Sequence, residues 1–366
     1  MIKVTLTNEM LKYITAIDKN RYDVAQVRLP KTISNKLRKN SKKKSSYAST
    51  KIEGNPLSEK QVDEIIESDE RMHYLKPEQE VRNYYLALNY LEERAKKKEK
   101  FSKKLILDVQ KFVEKGAAKE KIGIRGQTPP GVLFAVYDSE TGNPDYIPPE
   151  YKDIPNLLDE LVAYVNETDD HPLIVAAVVH YQLVTIHPFE DGNGRTARLL
   201  SGYILDINEY GFNGIGSLEE YFAYDIQEYY DSIQMGLPAH YYYGRNNPPH
   251  PEIWINYFLR MVLLYSNKVR ELSKSSASEE LENSLSYLKT REKELLLLLI
   301  KKYKRDFTPI EVSKELGVTN KTVINRLATL VKNGFVHPNL VNERIRSYSL
   351  TEFTKKHEKE LKKYLD

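Results

Sequence analysis

The stretch from Leu173 to Ile186 is apolar on nearly every side, and that limits what the chain can become more than any other feature. A helix without a polar face cannot lie on a surface, so it has to run through the centre of a bundle and be covered by other helices. Asp169 and Asp170 precede it, and Pro172 suits a first helical turn, where its missing N–H costs nothing. The apolar run stops at His187-Pro188, and helical character resumes from about Arg195 to Glu209. Between them lies a short loop, Phe189-Glu190-Asp191-Gly192-Asn193-Gly194, placed just ahead of a helix N-terminus.

Helices to cover the central one are available. From Val81 to Val113 and from Ile154 to Val165, apolar residues recur at three and four positions, the period of amphipathic helices. Gly123 to Pro149 is rich in Gly and Pro, carries the apolar island Val132 to Tyr137 and the turn signal Thr141-Gly142-Asn143-Pro144, and reads as a short β-hairpin. The basic stretch Lys36-Leu37-Arg38-Lys39 with Lys42-Lys43-Lys44 reads as a solvated loop, and the polar segment Ser273 to Ser284 as a linker or a capped helix start. At 366 residues the chain exceeds one ordinary domain. The expected division is an N-terminal helical region over 1–74, a catalytic unit over 75–270, a linker over 271–285 and a further domain over 286–366.

The chain has no cysteine, which removes disulfides, thiolate nucleophiles and cysteine-held metals. Met1-Ile2-Lys3-Val4-Thr5 shows no charged-then-apolar signal pattern, and the greasiest run, Leu295 to Ile300, is too short to span a bilayer. The expectation is a soluble, cytoplasmic protein with no membrane partner. Net charge is only +3, but the residues from Ser286 onward hold 18 Lys and Arg against 10 Asp and Glu. The rest of the chain is therefore acidic, and an anionic partner is expected for the C-terminal part alone.

The loop after the central helix has the parts of an anion site. Unpaired N–H groups and the positive end of the following helix point into it, and its two glycines let a phosphate approach the backbone. Arg195 and Arg198 are three apart and share a helical face, where their forked donors suit phosphate oxygens. Asp191 offers a hard oxygen for Mg²⁺, and His187 at the other lip can accept a proton near neutral pH. Singly, each residue has a structural explanation: a hydrogen-bonded His, an Asp-Gly turn, a solvated Arg pair. Their concentration between His187 and Arg198 argues for attack on a nucleotide phosphate.

The segment His187-Pro188-Phe189-Glu190-Asp191-Gly192-Asn193-Gly194-Arg195-Thr196-Ala197-Arg198 resembles the signature of the Fic family at every defined position. The resemblance extends to Gly123-Ile124-Arg125, to Tyr146-Ile147-Pro148-Pro149, and downstream to the stretches around Tyr229, Tyr230 and Trp254, about residues 75 to 270 in all. It implies a mainly α fold, a helical Fic core with a short β-hairpin flap, and transfer of AMP from ATP to a Tyr, Ser or Thr hydroxyl of a target protein or of the chain itself. His187 would be the base and Asp191 the Mg²⁺ ligand. Asn193 with the Gly192 and Gly194 backbone would form the anion hole, Arg195 and Arg198 would hold the β- and γ-phosphates, and Tyr229 and Tyr230 would border ATP. Val132, Leu133 and Phe134 in the flap would dock the target by strand addition. Relatives that act as kinases carry Lys where this chain has Gly194, which favours AMP transfer, whereas phosphocholine transfer is not separated by the motif. The resemblance also leaves room for a homodimer.

Ser49-Thr50-Lys51-Ile52-Glu53-Gly54-Asn55 is similar to that family's inhibitory motif. Ser49 and Glu53, four apart, share a helical face, and the resemblance implies that Glu53 pairs with Arg198 in the place of the γ-phosphate. Near the C-terminus, Thr308 to Leu327 reads as helix, turn at Gly317 and second helix capped by Thr319, with Phe335 to Leu350 as a hairpin. This resembles a winged helix-turn-helix domain. Asn320, Lys321, Thr322, Asn325 and Arg326 would face a DNA groove, and Arg344 and Arg346 a phosphate backbone. Two other functions stay open: a DNA-binding regulator using the Fic portion as a nucleotide sensor, against which the intact His187 argues, and removal of AMP with Glu53 orienting a water.

Overall fold

The computed structural model describes residues 2–27, 29, 31–68, 73–117, 122–137, 142, 144–235, 248, 250–341 and 343–365. They fall into two compact units, Met1–Ser273 and Lys274–Asp366, each with its own apolar core.

The first unit opens with α1 (Asn8–Gln26), α2 (Lys31–Ile52), α3 (Glu59–Glu67), α4 (Lys76–Lys96) and α5 (Lys103–Glu114). The hairpin β1 (Val136–Tyr137) and β2 (Pro144–Tyr146) follows, then α6 (Ile154–Glu167), α7 (Pro172–Ile186), α8 (Asn193–Ile207), α9 (Glu219–Tyr224), α10 (Ile226–Gln234) and the long helix Glu252–Ser286. The centre is α7, in which every residue from Leu173 to Ile186 except Val184 is buried. It packs most extensively against α8 and also meets α6, while Trp254 from the long helix, itself fully buried, donates to the Ala177 carbonyl at 2.8 Å. Pro172 stands in the first turn, and the ring of His171 accepts from the Leu173 N–H at 3.3 Å, so the buried helix start is capped.

Two expectations change, and the hairpin is found as a short one. The basic stretch at 36–44 is no solvated loop but part of α2, whose buried face consists of Ser41, Ser45, Ser46, Ala48, Ser49, Thr50, Ile52 and the buried Lys43. Small side chains let a helix approach its neighbours without leaving an apolar period to read. The lysines find acids on the elements around α2: Lys43 meets Glu67 at 2.7 Å and Asp63 at 3.3 Å, Lys42 meets Glu92, and Lys44 meets Glu220 at 2.9 Å. The hairpin is shorter than its apolar island, with Val136 opposite Tyr146 and Tyr137 opposite Pro144. Val132 to Ala135 run ahead of the ladder, while Thr141 and Asn143 of its turn lie outside the described residues. Residues 271–285, expected as a linker, are helical within Glu252–Ser286. Buried Val269, Ser273, Leu281 and Leu285 keep positions in a four-residue spacing through the polar composition.

The second unit holds helices Thr290–Lys302, Pro309–Leu316 and Asn320–Lys332, then the antiparallel pair Val336–Val341 and Arg344–Leu350, and two short helices. Thr308 and Glu311 form a reciprocal cap, Gly317 adopts a left-handed φ of 63° at the turn, and Thr319 caps the next helix. Leu295, Leu299, Val312, Val323, Leu327 and Phe335 form the core beneath them. The order helix, turn, helix, hairpin is the one that the residues 308–350 lead one to expect.

Candidate active site

His187 caps α7 in a left-handed conformation, φ 48° and ψ 59°. A non-glycine residue there costs roughly 1 kcal/mol or more and persists only when its surroundings hold it. They do so here. The His187 N–H donates to the Leu183 carbonyl at 3.0 Å, and the His187 carbonyl accepts from Arg125 Nε at 2.9 Å. The Arg125 backbone N–H donates to the Pro188 carbonyl at 2.9 Å, and its guanidinium also reaches the Pro149 carbonyl and stacks 4.3 Å from the centre of the Phe134 ring. One buried arginine thus ties the chain reversal to the segment before the hairpin.

On the His187 ring, Nδ1 lies 3.3 Å from the Val184 carbonyl. A carbonyl can only accept, so Nδ1 carries the proton and Nε2 keeps its lone pair. Crowding by protein pushes the ring's pKa down to about 4; Arg125 lowers it further, while the Val184 carbonyl, Glu53 and Asp191 oppose the shift. The imidazole is therefore neutral at physiological pH, with a base at Nε2.

Asn193 closes the loop on itself, accepting from the Phe189 N–H at 3.0 Å and donating to the Phe189 carbonyl at 2.9 Å. Its side chain thereby fixes the backbone of the loop from within. Gly192 takes φ 80°, and a side chain there would run into Glu114 as well, so the position excludes larger residues twice over. Asp191 Oδ1 accepts from the Gly192 N–H at 2.6 Å and from Arg195 at 3.0 Å, while 44% of its side chain stays exposed. A single exposed carboxylate such as this could hold a metal ion only together with oxygen ligands from elsewhere.

Both arginines are buried. Arg195 meets Glu114 at 2.9 Å, with Glu80 at 3.9 Å. Burial pushes the Glu114 carboxyl up to about 7 despite Arg195 beside it, with Asp191 and Glu80 adding to the rise. Arg198 donates to Ser49 Oγ at 2.8 Å, to the Ser49 carbonyl at 3.0 Å, to Glu53 Oε1 at 2.6 Å and to the Tyr229 hydroxyl at 3.3 Å. The same Glu53 oxygen occupies the space that any side chain at Gly194 would need. A carboxylate thus sits against the loop at the N-terminus of α8 and on the Arg198 guanidinium.

The other expected residues spread around this centre. Tyr229 is buried behind Arg198 with its hydroxyl 3.0 Å from His180 Nε2, and the half-exposed Tyr230 reaches the Ile52 carbonyl at 3.4 Å, at the end of α2. Val132 and Leu133 are exposed, and the Phe134 ring lies 6.2 Å from that of His187. In the second unit Lys321, Asn325, Arg344 and Arg346 are exposed and Arg326 is half-buried. Sequence reasoning missed Glu114, Glu80 and the clamping role of Arg125, since only the folded chain brings them to the loop.

The model of the Fic/DOC family matches residues 100–205. Curated relatives named protein adenylyltransferase Fic include one from Nematostella vectensis, 45% identical over 64 residues, which is 17% of this chain and 15% of the relative. One from Aedes aegypti is 43% identical over 63 residues, 16% and 13% of the two chains. The chain therefore matches only a small part of the length of these relatives. Among solved structures, a Fic family protein from Desulfovibrio desulfuricans G20 superposes with a TM-score of 0.59 at 18% identity, over 96% of this chain and 98% of the other. Residues 134–508 of Fic-1 from C. elegans superpose with a TM-score of 0.54 at 23% identity, over 73% and 72%. At such identities the likeness is one of fold. The match of residues 100–205 to the Fic/DOC family takes in the whole segment from His187 to Arg198, near its C-terminal end, so that this region carries a Fic domain.

Proposed function

We propose that the chain transfers AMP from ATP to a hydroxyl of a protein and that Glu53 restrains the reaction. The observation that carries the reading is the Glu53 carboxylate lying on Gly194 and Arg198, because the protein's own anion marks where a phosphate would bind. His187 Nε2 takes the proton of the target hydroxyl as its oxygen attacks the α-phosphorus. The bond from that phosphorus to the bridging oxygen breaks, and pyrophosphate leaves. Arg195, Arg198 and the N–H groups at the start of α8 hold the phosphates that carry the leaving charge. Asp191 would hold Mg²⁺ with the phosphate oxygens, and the ion would supply charge neutralisation there. Exposed Val132 and Leu133, running ahead of the hairpin and just before Phe134, whose ring lies 6.2 Å from that of His187, suit an extended target segment.

Glu53 and the γ-phosphate compete for Arg198. A hydrogen bond to a charged group contributes about 1.5–3 kcal/mol, so the pair lowers the population of the productive ATP pose roughly 10- to 100-fold. The position of the Glu53 carboxylate against Gly194, in the loop that follows His187, also suits removal of AMP with Glu53 orienting a water as a second reading. For the C-terminal unit, exposed Lys321, Asn325, Arg344 and Arg346 support DNA binding. Its mark would be an affinity that falls steeply with added salt, and a flat response would leave protein docking.

The direct test is incubation of the pure chain with α-labelled ATP and a cell lysate, followed by mass spectrometry. Adducts of AMP on Tyr, Ser or Thr support transfer. Label found only as free nucleotide, with no adduct on any protein, would reject it.

A further inference from the structure

We propose that the cleft between α2 and α8, on the side of Arg198 away from the Gly192–Gly194 loop, binds a compact organic cation, an amine or guanidine on a small apolar body, and that its occupant holds α2 in place. The cleft has a volume of about 490 Å³. That is within the range of small-molecule sites. Leu88, Leu205 and Phe222 give it apolar walls, Ser41 and Ser45 line it from α2, and Gly202 and Asp206 from α8.

The sign of the ligand's charge follows from which groups are already engaged. Lys42 is held by Asn89 and Glu92, Arg38 donates to the Asn213 carbonyl at 2.7 Å, Lys96 meets Glu92 and Glu93, and Arg198 holds Ser49 and Glu53. Arg21 stacks on Tyr210 and lies 3.6 Å from Asp18. Among the acids, Glu219 accepts from Ser45, Ser217 and Tyr84, and Glu92 takes Lys42. Asp206 differs. Its carboxylate forms no hydrogen bond or ion pair among the described residues, and its side chain is exposed to the cleft. A cation supplies what it lacks, whereas of the arginines and lysines around it Arg38 alone holds no acid among the described residues, its Nε donating to the Asn213 carbonyl. Among the described residues no three His, Asp or Glu converge as metal ligands, which favours an organic cation over a metal ion.

The consequence for α2 follows from spacing. Ser41, Ser45, Ser49 and Glu53 recur every four residues on one face. Ser41 accepts from the Gly216 N–H at 2.6 Å and Ser45 donates to Glu219 at 2.7 Å, both at the cleft, while Ser49 and Glu53 hold Arg198. A ligand whose wall is α2 binds only while α2 is docked, so binding and docking reinforce each other. The inhibitory effect of that docking rests on the function proposed above, but the binding does not.

The probe is phenethylamine, titrated calorimetrically into the full-length chain beside its neutral and anionic counterparts, 2-phenylethanol and phenylacetate. The amine binds saturably, the alcohol roughly 10- to 100-fold more weakly because it lacks the charge-assisted bond, and phenylacetate weakest of all. Asp206→Asn weakens the amine by the same factor. Gly202→Leu blocks it by volume, and the variant folds, since nothing lies within 4 Å of an added Cβ and leucine favours a helix over glycine. Hydrogen exchange over 41–53 slows when the amine binds, with ATP absent. No saturable binding of the amine, equal binding of amine and alcohol, or binding that survives in both variants overturns the site. Binding without slower exchange in α2 overturns the clamp. These readouts need no transfer activity, so an inactive chain and an empty cleft give different results.

Discussion

Arg195 and Arg198 stand one turn apart on α8, both buried, and each meets a glutamate, yet the two meetings differ in kind. Glu114 lies in the last turn of α5 with its side chain 1% exposed. Its carboxyl has no route to water and rises to about 7 under burial, so it is a fixture of the frame that positions Arg195. Glu53 stands one residue beyond α2, before Gly54 with its left-handed φ of 81°, and its side chain is 30% exposed. Its carboxylate is therefore partly in contact with solvent where it stands. The same pairing of charges is enclosed on one arginine and partly open to solvent on the other, and in the function proposed above the first is a frame and the second a removable plug.

The largest expected effect lies outside both pairs and sets the baseline for them. His187→Ala removes the base and lowers AMP transfer by roughly 100-fold or more, while Mg·ATP affinity by calorimetry stays near that of wild type. Retention of more than a few per cent of the activity would show that another group takes the proton.

Removing the fixture comes next. Glu114→Ala leaves Arg195 buried beside only Asp191 and the more distant Glu80. Loss of one partner of a buried pair costs about 3–5 kcal/mol, so thermal unfolding should shift down by many degrees. Glu53→Gly should shift it far less. Similar losses of stability from the two variants would erase the distinction between frame and plug.

A smaller effect concerns pH. The folded pKa of Glu114 is raised from an ordinary 4.5 to about 7, so between these values the folded chain binds more protons than the unfolded one. The stability that this group contributes is full below the lower value and is lost as pH rises through the upper. His187, shifted the other way, and Asp206 contribute in both wild type and variant, so the difference between wild type and Glu114→Gln isolates the one carboxyl. Denaturant titrations should show that difference move in favour of the variant between pH 4.5 and 7 and stay constant above. A difference independent of pH would mean that Glu114 is ionised throughout.

The same contrast marks how much could be read beforehand. The central helix α7 and the loop after it are legible because an all-apolar run permits one environment and because the loop's chemistry is contiguous from His187 to Arg198. The helix α2 is not. Its buried face is serine, threonine and alanine, and its lysines look solvated until Asp63, Glu67, Glu92 and Glu220 are folded against them. Ser49 and Glu53 are legible through a resemblance of motif, whereas Glu114 and Glu80 have no local signal and Arg125, marked by the resemblance, shows no role, since their partners are brought to them only by packing. The short hairpin is legible as such, although the apolar residues Val132 and Leu133 that help to signal it run ahead of its ladder and are exposed.

The central claim is that Glu53 occupies a place that ATP needs on Arg198. Its most direct measurement is the rate of auto-modification by α-labelled ATP in wild type, Glu53→Gly and Arg198→Ala, followed over a range of ATP concentrations. Glu53→Gly should react roughly 10- to 100-fold faster than wild type, the population released by losing one charge-assisted bond, and Arg198→Ala should not, because it removes the plug's anchor and the phosphate's partner together. A Glu53→Gly rate within about twofold of wild type at every ATP concentration, against the population shift such a bond implies, would contradict it.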